Sequence, residues 1–292
     1  LSIALRFFAS PTPNGRLISE VVRPYTNGLD VTRRNCGNWV IDFGSDTSED
    51  RAALFGPAFD YVKAHVKPMR TKGRPTRSEW WLHMRPCPSM RIAVEPLARF
   101  LATPTLTKHR LMAWMSGPTL PDHQLVVFAR ADDYFFGVLH SSVHEVWALT
   151  QGTQLEDRPR YTPTSCFETF PLPWAPGEEP VKAGEEGHAE WEAIGEAAKE
   201  LDGQRERWLN PPEWVAEVEG IVRRNYRAEL AEVPEGSREL VFRSAVMGEG
   251  AKHPKLKLRT LTNLYNERPE WLRIAHERLD RAVLGAYRVV DP

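Results

Sequence analysis

The chain changes character at the stretch PWAPGEEPVKAGEEG, which occupies residues 173–187. Proline, glycine and acidic residues at this density hold neither a helix nor a strand, so the stretch predicts a linker. Before it, short β-branched and aromatic runs alternate with helical patterns, whereas after it apolar residues recur only at helical spacing. We therefore predict an α+β protein. It comprises a mixed domain with short strands over residues 1–174, a linker over 175–188 and a helical region over 189–292.

The apolar pattern also places individual elements. Four short runs in the first part are typical of strands, at residues 39–43, 100–103, 109–114 and 125–129. Two longer segments have apolar residues at helical spacing, at 48–66 and 133–149, and Asp132 and Asp133 are expected to begin the second. In the last part, three apolar helix faces begin at Trp191, Val215 and Leu272.

The composition is that of a folded globular protein. Of 292 residues, 41% are hydrophobic, and 38 Lys and Arg against 39 Asp and Glu give a net charge of −1, which excludes disordered, collagen-like and coiled-coil chains. No apolar run approaches the roughly 18 residues of a membrane span, and the first residues lack the pattern of a signal peptide. Cys36, Cys87 and Cys166 form no CxxC pair, which favours a reducing compartment. We expect a cytoplasmic protein without a membrane contact.

The charge is unevenly distributed along the chain. Between residues 63 and 110, eleven Lys and Arg face only two Glu. A basic block in a nearly neutral chain indicates a site for a polyanion, although a solvated surface without a partner would show the same charge. Residues 67–77 contain proline and glycine and therefore favour a loop, which Trp80 and Trp81 follow at once.

This block supplies the candidate nucleic-acid ligands. Arginine and lysine meet phosphates, arginine also reads guanine edges, and aromatic rings stack on displaced bases. For phosphates or bases the candidates are Arg70, Lys72, Arg74 and Arg77. For the backbone or grooves they are Arg85, Lys108, His109 and Arg110, and Trp80 is the candidate for stacking.

Motifs for catalysis, cofactors and metals give only structural interpretations. Asn210-Pro211-Pro212-Glu213 resembles the Asn-Pro-Pro-aromatic turn of amino-methylating enzymes. However, the fourth residue is Glu213 rather than an aromatic residue. A helix that starts with Asn210 as its N-cap explains the same four residues. No glycine-rich loop follows a buried strand and opens a helix, so no cofactor site is expected in this chain. His140 and His144 stand four apart, but no glutamate lies between them as a zinc-protease motif requires.

Four segments of the chain resemble a known family. They are YTPTSCFETFPLP at 161–173, LHSSVHEVW at 139–147, VRPYTNGLDVT with WVIDF at 22–43, and LTNLYNERP with the helix after it at 261–280. In this order they resemble the target-recognition and C-terminal region of large DNA N6-adenine methyltransferases. That family includes restriction–modification enzymes of type IIL and type IIG and phage-defence methylases.

The resemblance implies a DNA-reading part without its catalytic part. In the family, the catalytic domain precedes this region and carries the cofactor loop and the Asn-Pro-Pro-aromatic turn, both absent from this sequence. The implied partners are double-stranded DNA and a methyltransferase catalytic domain in cis or in trans. S-adenosylmethionine is expected in that catalytic domain, and no catalytic, cofactor or metal residue is assigned to this chain.

Two other hypotheses remain open. The chain could be a protein-interaction module or a non-catalytic methylase remnant, in which the acidic helices dock a partner and the basic loop is only solvated. A third hypothesis is an independent hydrolase that uses His140, His144 and Asp122.

Overall fold

The computed structural model describes residues 2–10, 12, 15–71, 79–155 and 158–290. The candidate ligands Lys72, Arg74 and Arg77 lie outside the described residues. Within them, small sheets combine with many helices, and the last hundred residues are helical, which confirms the expected α+β class. None of the described helices is both long and apolar enough to cross a bilayer.

The described strands form three small sheets. Their bounds are β1 Val22–Thr26, β2 Asn38–Ile41, β3 Arg99–Pro104, β4 Ala113–Ser116, β5 Leu120–Pro121, β6 Leu125–Phe128, β7 Thr153–Leu155 and β8 Arg158–Arg160. In the first sheet β1 pairs antiparallel with β2 and parallel with β5. In the second, β3 lies between β4 and β6 and is antiparallel to both, and β7 and β8 form a separate antiparallel pair.

The helices before residue 174 are short. They are α1 Ser2–Ala9, α2 Gly28–Thr32, α3 Glu49–Ala53, α4 Gly56–His65, α5 Lys67–Thr71, α6 Pro88–Val94, α7 Asp133–His140 and α8 Ser142–Gln151. The later helices include three long ones. They are α9 His188–Leu209, α10 Pro212–Asn225, α11 Arg227–Glu232, α12 Glu235–Lys252, α13 Leu261–Glu267 and α14 Glu270–Val290.

Both long helical patterns of the first part are interrupted. The pattern at 48–66 forms α3 and α4, separated at Phe55, and Gly56 there has a positive φ of 22°. The pattern at 133–149 forms α7 and α8, because Ser141 is extended and its hydroxyl both donates to the Val138 carbonyl and accepts from the His144 amide. Asp132 begins α7 as expected, with its carboxylate accepting from the Phe135 amide at 2.8 Å.

Two predictions of local structure need correction. The strand expected at 109–114 is shifted to β4 at 113–116, because Leu111 and Met112 are fully buried in a loop that fills the core. The helix start after residue 210 is present, but Pro211 rather than Asn210 is its N-cap. The Asn210 side chain instead ends α9, accepting from Arg34 at 2.7 Å and donating to Glu206 at 2.7 Å.

One hydrophobic core joins the first part to the helical region. α7 packs against α9, and α9 packs against α14. Gly137 of α7 lies at this junction, where an added Cβ would stand 2.8 Å from Ile194, 3.1 Å from Ala198 and 3.1 Å from Leu279. Residues 175–187 form neither helix nor strand, and the predicted boundaries at 174 and 188 stay a prediction.

A second core lies under the N-terminal elements. It joins buried residues of α1, α3 and α4 to Val241 of α12. Phe8 packs edge-on against Trp39 of β2, with ring centroids 5.0 Å apart. This packing fixes the first sheet and α4, which together support the basic residues that follow.

Candidate nucleic-acid interface

Arg70 and Trp80 hold each other in place. One Arg70 Nη donates to the carbonyls of Trp80 and Leu82, so this guanidinium fixes the segment that follows the undescribed residues 72–78. The Trp80 ring is 6% exposed and packs 5.4 Å from Phe59, with the Lys67 ammonium 4.6 Å from its centroid. The base-stacking role expected of Trp80 does not fit this arrangement, because the ring belongs to the core.

Arg85 has the properties expected of a phosphate ligand. Its side chain is exposed just before α6. It makes no hydrogen bond or ion pair within the described part of the chain, so its donors are available to a partner.

Lys108 and His109 both contact the same acceptor atom in the helical region. The Lys108 ammonium lies 2.7 Å from Oδ1 of Asn266, and His109 Nε2 lies 2.9 Å from the same atom. Lys108 is exposed and keeps two of its three N–H donors. The basic turn is therefore tied to the end of α13 while one charge still faces solvent.

Arg110 is partly buried. Its Nη2 donates to the Pro104 carbonyl at 2.6 Å, and its guanidinium lies 4.8 Å from the ring centroid of Tyr161. Burial lowers the pKa of Arg110 to about 10, and its Nε has no partner within the described residues. The groove contact expected of Arg110 stays a prediction, and these contacts already engage part of its guanidinium.

A buried polar cluster lies where the first part meets the helical region. Arg205 of α9 is 3% exposed and donates to the Met112 carbonyl at 3.0 Å, with His140 Nε2 also 3.0 Å away. The Tyr265 hydroxyl lies 2.7 Å from the same His140 nitrogen and 2.9 Å from Nε2 of His276. Burial, followed by the charge of Arg205, lowers the pKa of His140, and the same causes lower the pKa of His276 to about 4.

His144 is also structural. Its Nδ1 donates to the Leu139 carbonyl at 2.7 Å and its Nε2 lies 3.0 Å from the Tyr161 hydroxyl. Asp122 is occupied elsewhere, by the Tyr25 hydroxyl and the Gln124 amide. These contacts do not support the hydrolase hypothesis. In the described part of the chain, no three His, Cys, Asp or Glu side chains come together as metal ligands would.

Sequence reasoning missed a second basic cluster, formed by Arg16, Arg23, Arg51 and Arg91 around Asp42. These arginines are spread over 76 positions, so a charge window along the chain could not group them. The available signal was Asp42 itself, a carboxylate directly after a hydrophobic strand.

The comparisons with known proteins concern the segment that contains Lys108, His140 and Tyr161. Residues 108–174 match the family model described as MmeI, target recognition domain. Over these residues the chain is similar to the MmeI target recognition domain. The match confirms the resemblance seen in the sequence, and it includes two of the four resembling segments, 139–147 and 161–173.

The MmeI-type segment contains β4 to β8, α7 and α8. A solved structure described as "Type IIL restriction-modification enzyme MmeI in complex with DNA" is similar to this chain with 19% identity and a TM-score of 0.48. The similarity covers 94% of this chain, which spans 29% of the MmeI chain. No curated protein matches the chain.

Proposed function

We propose that this chain is the DNA-reading part of a type IIL restriction–modification enzyme. The observation that supports this most strongly is the match of residues 108–174 to the MmeI target recognition domain. Arg85 and Lys108 fit the role of phosphate ligands, because both are exposed and retain donors for an anion.

The finer proposal concerns the chemistry that follows recognition. A catalytic domain outside this sequence, joined in cis or acting in trans, would bind S-adenosylmethionine and methylate adenine at N6. This chain would choose the site and hold the duplex, and the target base would leave the helix to enter the catalytic domain. The proposal rests on the resemblance of the four segments to that family.

The test is a titration of fluorescent duplex DNA with the chain between 50 and 200 mM salt. If six to ten phosphates are contacted, log K should fall against log[salt] with a slope of about −5 to −9. Arg85→Ala should make the slope about one unit less steep, because it removes one phosphate contact. Arg224→Ala is the matched control, since Arg224 is also exposed and makes no polar contact within the described residues.

A chain that melts cooperatively yet shows no binding at 50 mM salt, or binding with a slope near zero, would contradict the proposal. That result would favour the protein-interaction module instead. If the parent chain shows a steep slope and both variants show the same slope, Arg85 does not contact phosphate. The phosphate contacts would then lie elsewhere on the chain.

A further inference from the structure

An open cleft of about 200 Å³ lies where the first sheet meets α3 and α6. It is outside the segment that matches the target recognition domain. Charged residues from five places along the chain line it. Within the described part of the chain they are Arg16, Glu20, Arg23, Asp42, Arg51 and Arg91. Four arginines against two carboxylates leave an excess of two positive charges.

Asp42 forms the floor of the cleft and is neutralised from one side. Its carboxylate is 1% exposed and accepts from both Nη groups of Arg91, one of them at 3.1 Å. Arg23 Nη1 stands 3.9 Å away, beyond hydrogen-bond distance, and so does His83 Nε2. Arg91 therefore compensates the charge of Asp42, while Arg23 lies beside this pair without a hydrogen bond to it.

The Arg23 guanidinium keeps its Nη groups for another acceptor. Its Nε donates to the Pro118 carbonyl at 3.1 Å, which fixes the direction of the side chain. Burial lowers the pKa of Arg23, and the Asp42 charge only partly opposes this effect. A partly buried cation whose charge is incompletely compensated is stabilised by a second anion.

Arg16 and Arg51 stand at the rim. Arg16 Nη1 lies 3.8 Å from a Glu20 carboxylate oxygen, with side-chain exposures of 39% and 49%, so this ion pair is weak. The Glu20 carboxylate also accepts from the Leu17 amide, and the Arg16 guanidinium lies 5.3 Å from the Phe55 ring centroid. The Arg51 side chain is exposed, and its guanidinium makes no hydrogen bond or ion pair within the described residues. The Thr47 hydroxyl completes the polar lining.

We propose that this cleft binds a phosphate group, with Arg16, Arg23 and Arg51 as its ligands and the Asp42–Arg91 pair as its floor. Planar guanidinium groups present paired N–H donors that match phosphate oxygens. We take the DNA backbone as the source of the phosphate, an assignment that rests on the proposed function. Free inorganic phosphate would satisfy the same chemistry and is the other source to test.

The experiment uses the double variant Arg16→Gln/Arg51→Gln, which leaves the half-buried Arg23 and Arg91 in place. Its control is Arg243→Gln/Arg224→Gln on the helical region. Arg243 matches Arg16, because each has a glutamate four positions away as its ion-pair partner. Arg224 matches Arg51, because neither guanidinium has an ion-pair partner within the described residues. Both double variants remove two exposed positive charges, so they differ only in whether the charges line the cleft.

In the DNA arm, the chain and both variants are titrated with duplex DNA over a range of salt concentrations. The cleft variant should bind about tenfold more weakly at 100 mM salt, and its slope should be about one unit less steep. The control variant should follow the parent chain.

In the phosphate arm, thermal unfolding is followed in 50 mM phosphate and in chloride of equal ionic strength. Phosphate also stabilises proteins by exclusion from their surfaces, so the readout is the difference between variants. A rise in Tm about 2 °C larger for the parent chain than for the cleft variant shows a phosphate site.

The two arms separate the possible failures. A loss of DNA affinity and slope confined to the cleft variant supports the site with the backbone as its source. A Tm difference without any DNA binding by the parent chain supports a site for free phosphate and contradicts the proposed function. If the cleft variant matches the control in both arms, the inference is overturned, and a steep DNA slope in the parent chain would leave the proposed function standing.

Discussion

Two polar clusters that contain arginine have opposite roles in this protein. Arg205 is 3% exposed and donates to the Met112 carbonyl next to His140, at the junction between the first part and the helical region. The cleft arginines surround the Asp42 carboxylate, which accepts hydrogen bonds from Arg91 and from the Gly44 amide. The Arg51 guanidinium is exposed without a polar partner among the described residues. The first cluster is closed to solvent around Arg205 and His140, whereas the second is open to an anion.

The difference lies in the acceptors that the fold supplies. A buried guanidinium needs acceptors for its donors. Arg205 of α9 has two neutral ones, the Met112 carbonyl and His140 of α7, while its Nε has no partner within the described residues. An arginine at the rim of a cleft needs none, because water satisfies its donors until a ligand replaces it. Charge alone therefore does not identify a binding residue, and Arg110, chosen from the sequence, is partly buried.

Arg205→Ala should produce the largest loss of stability. It opens a cavity and leaves the Met112 carbonyl and His140 without their partner, so we expect a loss of about 3 kcal/mol in the free energy of unfolding. Urea unfolding measures it, and Arg205→Met, which keeps most of the volume, should lose less. A loss below about 1 kcal/mol for Arg205→Ala would show that the cluster does not join the two parts.

Acid should weaken the closed cluster and the core beside it. Burial lowers the pKa of His144 to about 4, below the ordinary value of 6.5. Since the unfolded chain then binds the proton more readily, stability is complete above pH 6.5 and is lost as the pH falls towards 4. For His144 the loss is about 2 kcal/mol at pH 5.

Thermal melts between pH 7.5 and pH 5 measure this loss. His144→Gln should make the dependence less steep, because it removes one of the buried histidines with a lowered pKa. A dependence equally steep in the variant would assign the acid sensitivity to other groups.

Gly137→Ala tests the packing at the same junction. The added methyl would meet Ile194, Ala198 and Leu279 at 2.8 to 3.1 Å, so we expect a loss of about 1–3 kcal/mol from overpacking. Gly285→Ala on α14 is the matched control, since its Cβ would meet nothing within 4 Å. There the helix propensity of alanine should give a gain of up to about 1 kcal/mol. Equal effects in the two variants would mean that α7 is not packed tightly on the helical region.

Arg51→Gln should have the smallest effect on stability. An exposed side chain without a polar partner contributes within about 0.5 kcal/mol, so urea unfolding should not distinguish the variant from the parent chain. A loss comparable to that of Arg205→Ala would show that the cleft is a structural cluster, and the contrast between the two regions would disappear.

Local signals explain what the sequence could predict. Asp132 begins α7 through a bond to a backbone amide three residues away, and the apolar spacing of the long helices follows from a single periodicity. Composition and motif order also sufficed for the α+β class and for the resemblance confirmed over residues 108–174.

Long-range contacts explain what it could not predict. Leu111 and Met112 lie in a loop rather than a strand because they are buried in the core there. Asn210 accepts a hydrogen bond from Arg34, which is 176 positions away in the chain. Residue type alone made Trp80 and Arg110 candidates for DNA contacts. In the fold, Trp80 packs against Phe59, and Arg110 packs against Tyr161. The cleft residues could be grouped only by the pairing of β1 with β2 and the position of α6.

Selection from a random pool tests the proposal that the chain reads a DNA sequence. Duplexes with a random central region would be bound by the chain at moderate salt, recovered and sequenced over several rounds. We expect enrichment of one short sequence, bound at least about 10³-fold more tightly than random duplex. A bound pool that stays random, from a chain shown to be folded, would contradict it.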